Sequence, residues 1–325
     1  MRILISTPFL GGAGGIERLV FELCRAFDSD EVDVVYRSEL GGELAALGPK
    51  VTTRSHRSLR YRGSESSNPA LRMLCRAIID PIRIRTISNY DLEIQLGLGA
   101  RISESTRARS HVLNPCGTGV DIPGDFDLIW WESPAAEHAG FNTCPSMLVA
   151  PPCVGITDPA EPVEGIPEQF LLTVFNPHSA VKGAADLERQ IDSMPLPLVW
   201  CHSPATVSDP VPAALRAHPN IIHVVDGSHA QFRWLYENAQ AYLSFSRSEG
   251  FGWAIADALV HCRAVISRPV GVLSYPDSTD DSVFLIGEHW DFDWARLDHL
   301  EGRCTPIRDL PHLSSAHLRS CLVDI

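Results

Sequence analysis

The sequence predicts an α/β protein built from two Rossmann-like domains, and three observations carry that expectation. Its 325 residues exceed one small domain and suit two units of about 150 residues. Short apolar runs rich in Val, Ile and Leu alternate with amphipathic segments, the pattern of parallel sheets covered on both faces. Between Pro145 and Pro167 the composition shifts to Pro, Gly, Glu and Asp, which suits an interdomain linker. The expected domains are therefore 1–150 and 151–325, with the extreme C-terminus free to pack back on the first. Hydrophobic residues at 45% and charged residues at 21% supply enough apolar surface for two cores and exclude disordered, collagenous and coiled-coil classes.

In chain order, Arg2–Thr7 reads as a strand, because Pro8 and the glycines from Gly11 cut its apolar run too short for a secretory signal. Ile16–Phe27 reads as a helix, Val32–Tyr36 as a strand, Leu71–Ile84 as a helix, and Leu92–Leu96, His111–Leu113 and Asp127–Trp131 as strands. In the second half, strands are expected at Phe170–Phe175, Leu198–Cys201, Ile221–Val225, Ala241–Phe245 and Ala264–Ser267. Helices are expected at Ala184–Ile191, Ala230–Asn238 and Trp253–Val260. No stretch approaches the roughly 18 apolar residues of a membrane span. Nine cysteines without CxxC pairs read as reduced thiols of a cytoplasmic protein rather than a disulfide framework or zinc site.

The net charge of −13 is uneven: residues 1–150 carry 16 Lys+Arg against 18 Asp+Glu, and 151–325 carry 11 against 22. An acidic chain without zinc-finger spacing or aromatic-interleaved basic motifs excludes nucleic acid as a partner. The stretch Lys50 to Arg85 holds nine basic residues and only Glu65 and Asp80 as acids. It fits either a solvated face or contact with an anionic acceptor or the inner membrane surface.

Three clusters carry chemistry. Gly11-Gly12-Ala13-Gly14-Gly15 follows the first strand and opens the first helix, where backbone N–H groups and the helix end favour an anion. Glu17 stands where a dinucleotide fingerprint needs its third glycine, so that fingerprint is excluded. The second cluster is Lys182, one of only two lysines against 25 arginines. It sits in Asn176-Pro177-His178-Ser179-Ala180-Val181-Lys182-Gly183, after a strand and before a helix, and a compact ammonium suits a departing phosphate group. The third is Glu249-Gly250-Phe251-Gly252-Trp253, with Asp257 one turn further on. Its amides form a helix N-terminus able to hold a diphosphate, and Asp257 is placed to accept from a polyol such as ribose.

Together these residues resemble the family-4 retaining glycosyltransferases of the GT-B fold (glycosyl transferases group 1), whose hallmark is Glu, seven residues, then an acid, opening with Glu-Gly-Phe-Gly. Further matches follow in order: the early Gly-Gly loop, Ala150-Pro151-Pro152-Cys153-Val154-Gly155, Lys182-Gly183 and Ala264-Val265-Ile266-Ser267 with Gly271. The resemblance covers about 150–275, is specific over 244–271 and is thin over 40–145. Two positions depart from the pattern. The family's arginine six residues before the lysine is Asn176, and the second acid is Asp257 rather than Glu. Arg247 and Arg268 are the candidates to restore the missing charge.

The resemblance implies two parallel sheets facing each other across a cleft, a UDP- or GDP-sugar donor held by the C-terminal domain, and a hydroxyl acceptor (glycan, lipid-linked or small molecule) held by the N-terminal domain. It implies no cofactor and no metal; Asp291-Phe292-Asp293 is a DxD by chance. Donor contacts are expected from Gly11, Gly12, Gly14, Gly15, Asn176, Lys182, Gly250, Phe251, Gly252, Trp253 and Asp257. Lys182 is expected to hold the leaving diphosphate, and Glu249 to bind the sugar, on opposite parts of the donor. His111 and His138 compete to sit near the anomeric carbon. The alternative implied by Asn176 and Asp257 is a catalytically silent subunit that binds a glycosyl carrier or a partner enzyme. A nicotinamide dehydrogenase fails on the missing fingerprint.

Overall fold

The computed structural model describes residues 1–10, 14–39, 50–55, 70, 89–97, 108–117, 126–139, 144–153, 155–177, 180–203, 211–276, 278–290, 292–299 and 315–323. Its contacts divide the chain into two units. The first comprises Met1–Glu132, Glu137–Pro152 and His312–Ile325, and the second Ser133–Ala136 and Cys153–Pro311.

The sheet of the first unit contains β1 (Arg2–Leu10), β2 (Glu31–Glu39), β3 (Val51–Ser55), β4 (Tyr90–Leu96), β5 (Ala108–Asn114), β6 (Leu128–Trp131) and β7 (Ser146–Leu148). Their order is β3-β2-β1-β4-β5-β6-β7, and every pairing is parallel. Central strands of such a sheet are covered on both faces, which is why Ile3, Leu4 and Ile5 run consecutively and are all fully buried. Helix α1 (Gly15–Ala26) buries Leu19, Val20, Leu23 and Cys24, and burial pushes the Cys24 thiol up to about 12. Strand β7 occupies part of the stretch whose composition reads as linker; among the described residues its three positions pair with β6 alone. Helix α2 (Pro134–Ala139) follows β6.

The second sheet contains β8 (Leu171–Val174), β9 (Leu198–His202), β10 (Ile221–Val225), β11 (Ala241–Ser244), β12 (Val265–Ser267) and β13 (Val283–Leu285). It is also all parallel, in the order β10-β9-β8-β11-β12-β13. Helices α3 (Ala184–Gln190), α4 (Ala213–Arg216), α5 (His229–Asn238) and α6 (Trp253–His261) connect its strands. A capping box starts α5: the Ser228 hydroxyl accepts from Gln231 N at 3.2 Å, and Gln231 Oε1 accepts from Ser228 N at 3.0 Å. In the core Trp200 stacks on Phe175 with ring centroids 4.7 Å apart, and Trp290 on Phe245 at 4.2 Å.

Helix α7 (Ser315–Val323) packs on α1 in the first unit. Its Arg319 donates to Asp30 at 2.9 Å, and the chain's amino group meets the other oxygen of the same carboxylate at 2.8 Å. Burial alone would raise the Asp30 carboxyl; the two cations outweigh it and hold it below its ordinary value. The expected helix at Leu71–Ile84 lies outside the described residues. The described cysteines are free thiols, and among the described residues no helix is long and apolar enough to cross a membrane.

Candidate functional site

In a doubly wound sheet the chain leaves in opposite directions from two adjacent strands, and the gap beyond their C-terminal ends is the usual ligand position. In the second sheet those strands are β8 and β11. The loop after β8 ends in a single 3₁₀ turn, Ala180–Lys182, and Gly183 then caps α3. The loop after β11 runs through Glu249 to Gly252, which caps α6. Both caps are left-handed, with φ of +81° at each. At Gly183 a Cβ would also overlap the Phe245 carbonyl, so glycine lets the two loops touch backbone to backbone.

That approach brings Lys182 and Glu249, 67 positions apart, into direct contact: Lys182 Nζ lies 2.6 Å from both carboxylate oxygens. The Lys182 side chain is 32% exposed and that of Glu249 12%. The expectation that these groups serve opposite parts of a donor therefore meets a different arrangement, in which each neutralises the other. The reason is elementary. A part-buried carboxylate at a strand end needs a counter-charge, and Lys182 is the ammonium that the β8 loop delivers.

Gly250 gives its carbonyl to the Ser133 hydroxyl at 2.5 Å. Phe251 is buried, accepts from Val272 N at 2.7 Å and meets Trp253 edge-on at 4.9 Å. Asp257, one turn into α6, is only 7% exposed. Its charge is felt by the phenols of Tyr236 and Tyr242, whose pKa values burial pushes far up. Asn176 is exposed, and its Oδ1 accepts from the Ser203 amide at 3.0 Å and from the Ser203 hydroxyl.

The two candidate replacement cations are both engaged. Asp186, on the first turn of α3 and buried, receives Arg247 Nε and Nη2 at 3.0 Å each, Arg268 Nη2 at 3.1 Å, and Arg189. Burial raises the Asp186 carboxyl, but the bonded guanidinium groups more than compensate and hold it below its ordinary value. Arg268 is buried and donates also to the carbonyls of Phe245 and Glu288, which fixes it in a packing role. This four-residue cluster was not singled out from the sequence. The one signal that could have found it is an acid four residues after the lysine in an arginine-rich chain.

In the first unit Gly14 caps α1 without a side-chain bond and Gly15 is its first residue; Gly11 and Gly12 lie outside the described residues. The anion-favouring end of α1 is already occupied. The Glu17 carboxylate folds back against Gly14 and accepts its own backbone N–H, while burial raises its pKa. His111 lies three residues before the end of β5, with Nδ1 3.0 Å from Glu93 Oε2 on β4. The bond to Glu93 raises its pKa against the opposing effect of burial. Sheet pairing thus places His111 within the strand rather than beyond its end. His138 lies on α2, its side chain outside the described residues. Asp291 of the DxD triplet lies outside them too. From Lys50 to Arg85 only 50–55 and Ala70 are described; Lys50 donates to the Ser29 carbonyl at 3.1 Å. Among the described residues no group of three or more His, Cys, Asp or Glu side chains is arranged to hold a metal.

The architecture is that of GT-B glycosyltransferases. The chain is similar to HepE from Anabaena, solved with UDP and glucose, at a TM-score of 0.61 and 14% identity, covering 100% of this chain and 95% of that one. It is similar to WaaG, a glycosyltransferase of lipopolysaccharide biosynthesis, at 0.60 and 10%, covering 100% and 95%. It is also similar to sucrose-phosphate synthase from Thermosynechococcus elongatus, at 0.57 and 14%, covering 99% and 90%. No protein-family model matches the chain, and no curated protein matches it in sequence.

Proposed function

We propose that the chain is a retaining glycosyltransferase that moves a sugar from a nucleoside-diphosphate donor, UDP- or GDP-linked, to a hydroxyl acceptor without a metal ion. The observation that carries this reading is the Lys182–Glu249 pair at the point where the strand order of the second sheet reverses. It presents one cation and one acid beside the amides that open α6. In the reaction the bond between the anomeric carbon and the diphosphate oxygen breaks, its electron pair leaving with the diphosphate. The acceptor hydroxyl bonds to the same face of that carbon, and its proton goes to the departing oxygen. Charge accumulates on the diphosphate, so stabilising that charge is the chief task. Lys182 and the amides of Phe251 and Gly252 take it, and Glu249, freed of Lys182, binds hydroxyls of the sugar. We assign the donor to the second unit and the acceptor, a glycan, a lipid-linked sugar or a small molecule, to the first. The localisation that fits is cytoplasmic.

The test is a thermal-shift screen of UDP, GDP and their sugars with EDTA present. Stabilisation should reach about 2.7 kcal/mol at a hundredfold excess over Kd, and turnover should then proceed in EDTA. An absolute requirement for manganese or magnesium overturns the metal-free reaction. If no nucleotide stabilises the protein, it is a silent subunit.

A further inference from the structure

At the C-terminal end of β9, two imidazoles form one hydrogen-bonded row that the reaction above leaves unused. His202 Nδ1 lies 2.7 Å from the Ser203 carbonyl oxygen, His202 Nε2 lies 3.1 Å from His223 Nδ1, and His223 Nε2 lies 3.3 Å from the Leu215 carbonyl oxygen. A carbonyl oxygen only accepts, so both outer nitrogens must carry hydrogen. With both rings neutral, the inner nitrogens would then face each other as lone pairs across 3.1 Å. One added proton converts that repulsion into an N–H···N bond; a second would set two N–H groups head to head. The row is complete only with one surplus proton, shared by the pair.

We propose that His202 and His223 form a monocationic imidazole–imidazolium pair that supplies positive charge to the ligand edge of the second sheet and strengthens binding of an anionic nucleotide there. The nucleotide half of this inference rests on the donor reading above. The pair is tied to that edge through Ser203. His202 donates to the Ser203 carbonyl, and the amide and hydroxyl of the same residue hold Asn176, which heads the loop carrying Lys182. His202 is 7% exposed, so solvent and salt screen a charge on the pair less than they would at the surface.

The groups facing the row agree with a single charge. Trp200 packs against both rings, at 5.2 and 5.6 Å between centroids. From α4, Arg216 turns its guanidinium to the Val211 carbonyl at 2.9 Å. After β10, Asp226 gives its backbone N–H to the His202 carbonyl at 3.1 Å. Burial lowers the His223 pKa and the neighbouring His202 lowers it further, while the carbonyls of Leu215 and Arg216 oppose that shift.

The experiment is ¹⁵N NMR of the imidazole rings in the ligand-free wild-type protein between about pH 5 and 9, the range in which imidazoles titrate, followed by UDP calorimetry across the same range. The expected spectrum shows three protonated nitrogens on the pair, titrating in one macroscopic step. UDP affinity should then fall by about threefold or more as pH rises through that step, the worth of one screened unit charge, and His202→Gln should flatten the dependence. Two neutral rings in a protein that still binds UDP overturn the pair and leave the donor reading standing. A monocationic pair in a protein that binds neither UDP nor GDP overturns the donor reading, and with it the role of the charge. Affinity that stays level through the step also overturns that role.

Discussion

Replacing Glu249 by Gln should make UDP bind more tightly while making sugar transfer slower, and the contact with Lys182 sets the size of both effects. At the observed 2.6 Å, Coulomb's law gives about 1.6 kcal/mol at the dielectric of water and about 6 kcal/mol at an effective dielectric of 20. With the lysine one-third exposed and the glutamate mostly covered, the pair sits between those limits. Desolvation and the ordering of two side chains cancel much of the attraction, leaving about 1–2 kcal/mol. A diphosphate that recruits Lys182 must break this pair, so the cost is subtracted from its affinity. Glutamine keeps the shape and removes the competing charge, and UDP affinity should rise by about five- to thirtyfold. Turnover should nevertheless fall by about 10²-fold or more, because the carboxylate that meets the sugar is gone. Lys182→Ala should weaken UDP and lower turnover by a similar factor. The double variant should bind UDP like Lys182→Ala alone. In urea unfolding the two changes should couple by about 1–2 kcal/mol rather than add. Isothermal calorimetry in EDTA reads the first effect, and donor turnover the second. If Glu249→Gln binds UDP no more tightly than wild type, or the two stabilities add within about 0.5 kcal/mol, the pair does not compete with the nucleotide and the reasoning fails.

Gly183→Ala should cost about 2 kcal/mol or more in denaturant unfolding, from the left-handed φ of +81° and the overlap with the Phe245 carbonyl. Gly165→Ala, at φ +79° with nothing near its Cβ, should lose only about 1–2 kcal/mol of conformational energy, and equal losses at the two sites would refute the close approach. Asp30→Asn should cost about 1–3 kcal/mol at neutral pH, discounted because Arg319 is partly exposed. The folded-state pKa of Asp30 is depressed, so its contribution is present above the ordinary carboxylate value and disappears as pH falls through the folded one; a deficit that persists unchanged in acid would count against the ion pairs. Glu17 has the opposite sign. Its folded pKa is raised, so ionisation costs stability as pH rises past the ordinary value, and Glu17→Gln should raise the melting temperature at pH 7 but leave it unchanged in acid. A melting temperature that does not move at pH 7 would show the carboxylate to be compensated at the start of α1.

The elements legible in the sequence were those with a local cause. Largely apolar runs such as Leu171–Val174 and Leu198–His202 became covered strands, with only Val174 partly exposed, because burial on both faces needs no alternation. Strands β3, β7 and β13 carry no such signal, for the converse reason. Val51–Ser55 has one apolar residue followed by four polar ones, inside a basic stretch, and Ser146–Leu148 and Val283–Leu285 are three residues long, too short to carry a period. Each is defined by pairing to a neighbour that the chain meets only after folding.

The same division runs through the site. The glycine-rich turn at 250–252 was readable because one left-handed residue and a helix start are local matters. The wiring was not. Lys182 and Glu249 are joined because Gly183 lets the loop after β8 lie against the carbonyl of Phe245, and no spacing rule connects positions 67 apart. Asp186 shows what that closeness entails. Arg247 from the second loop reaches back to the first turn of α3, while its backbone N–H bonds the Val181 carbonyl at 2.8 Å. The two loops are therefore pinned at three points: a backbone bond, a bidentate ion pair and the Lys182–Glu249 contact. A nucleotide that draws Lys182 away loosens only the last of these, since the other two leave the ammonium unused. The loops thus keep their positions when the pair opens, and the free energy of opening goes into exchanging one anion for another rather than into rebuilding the site.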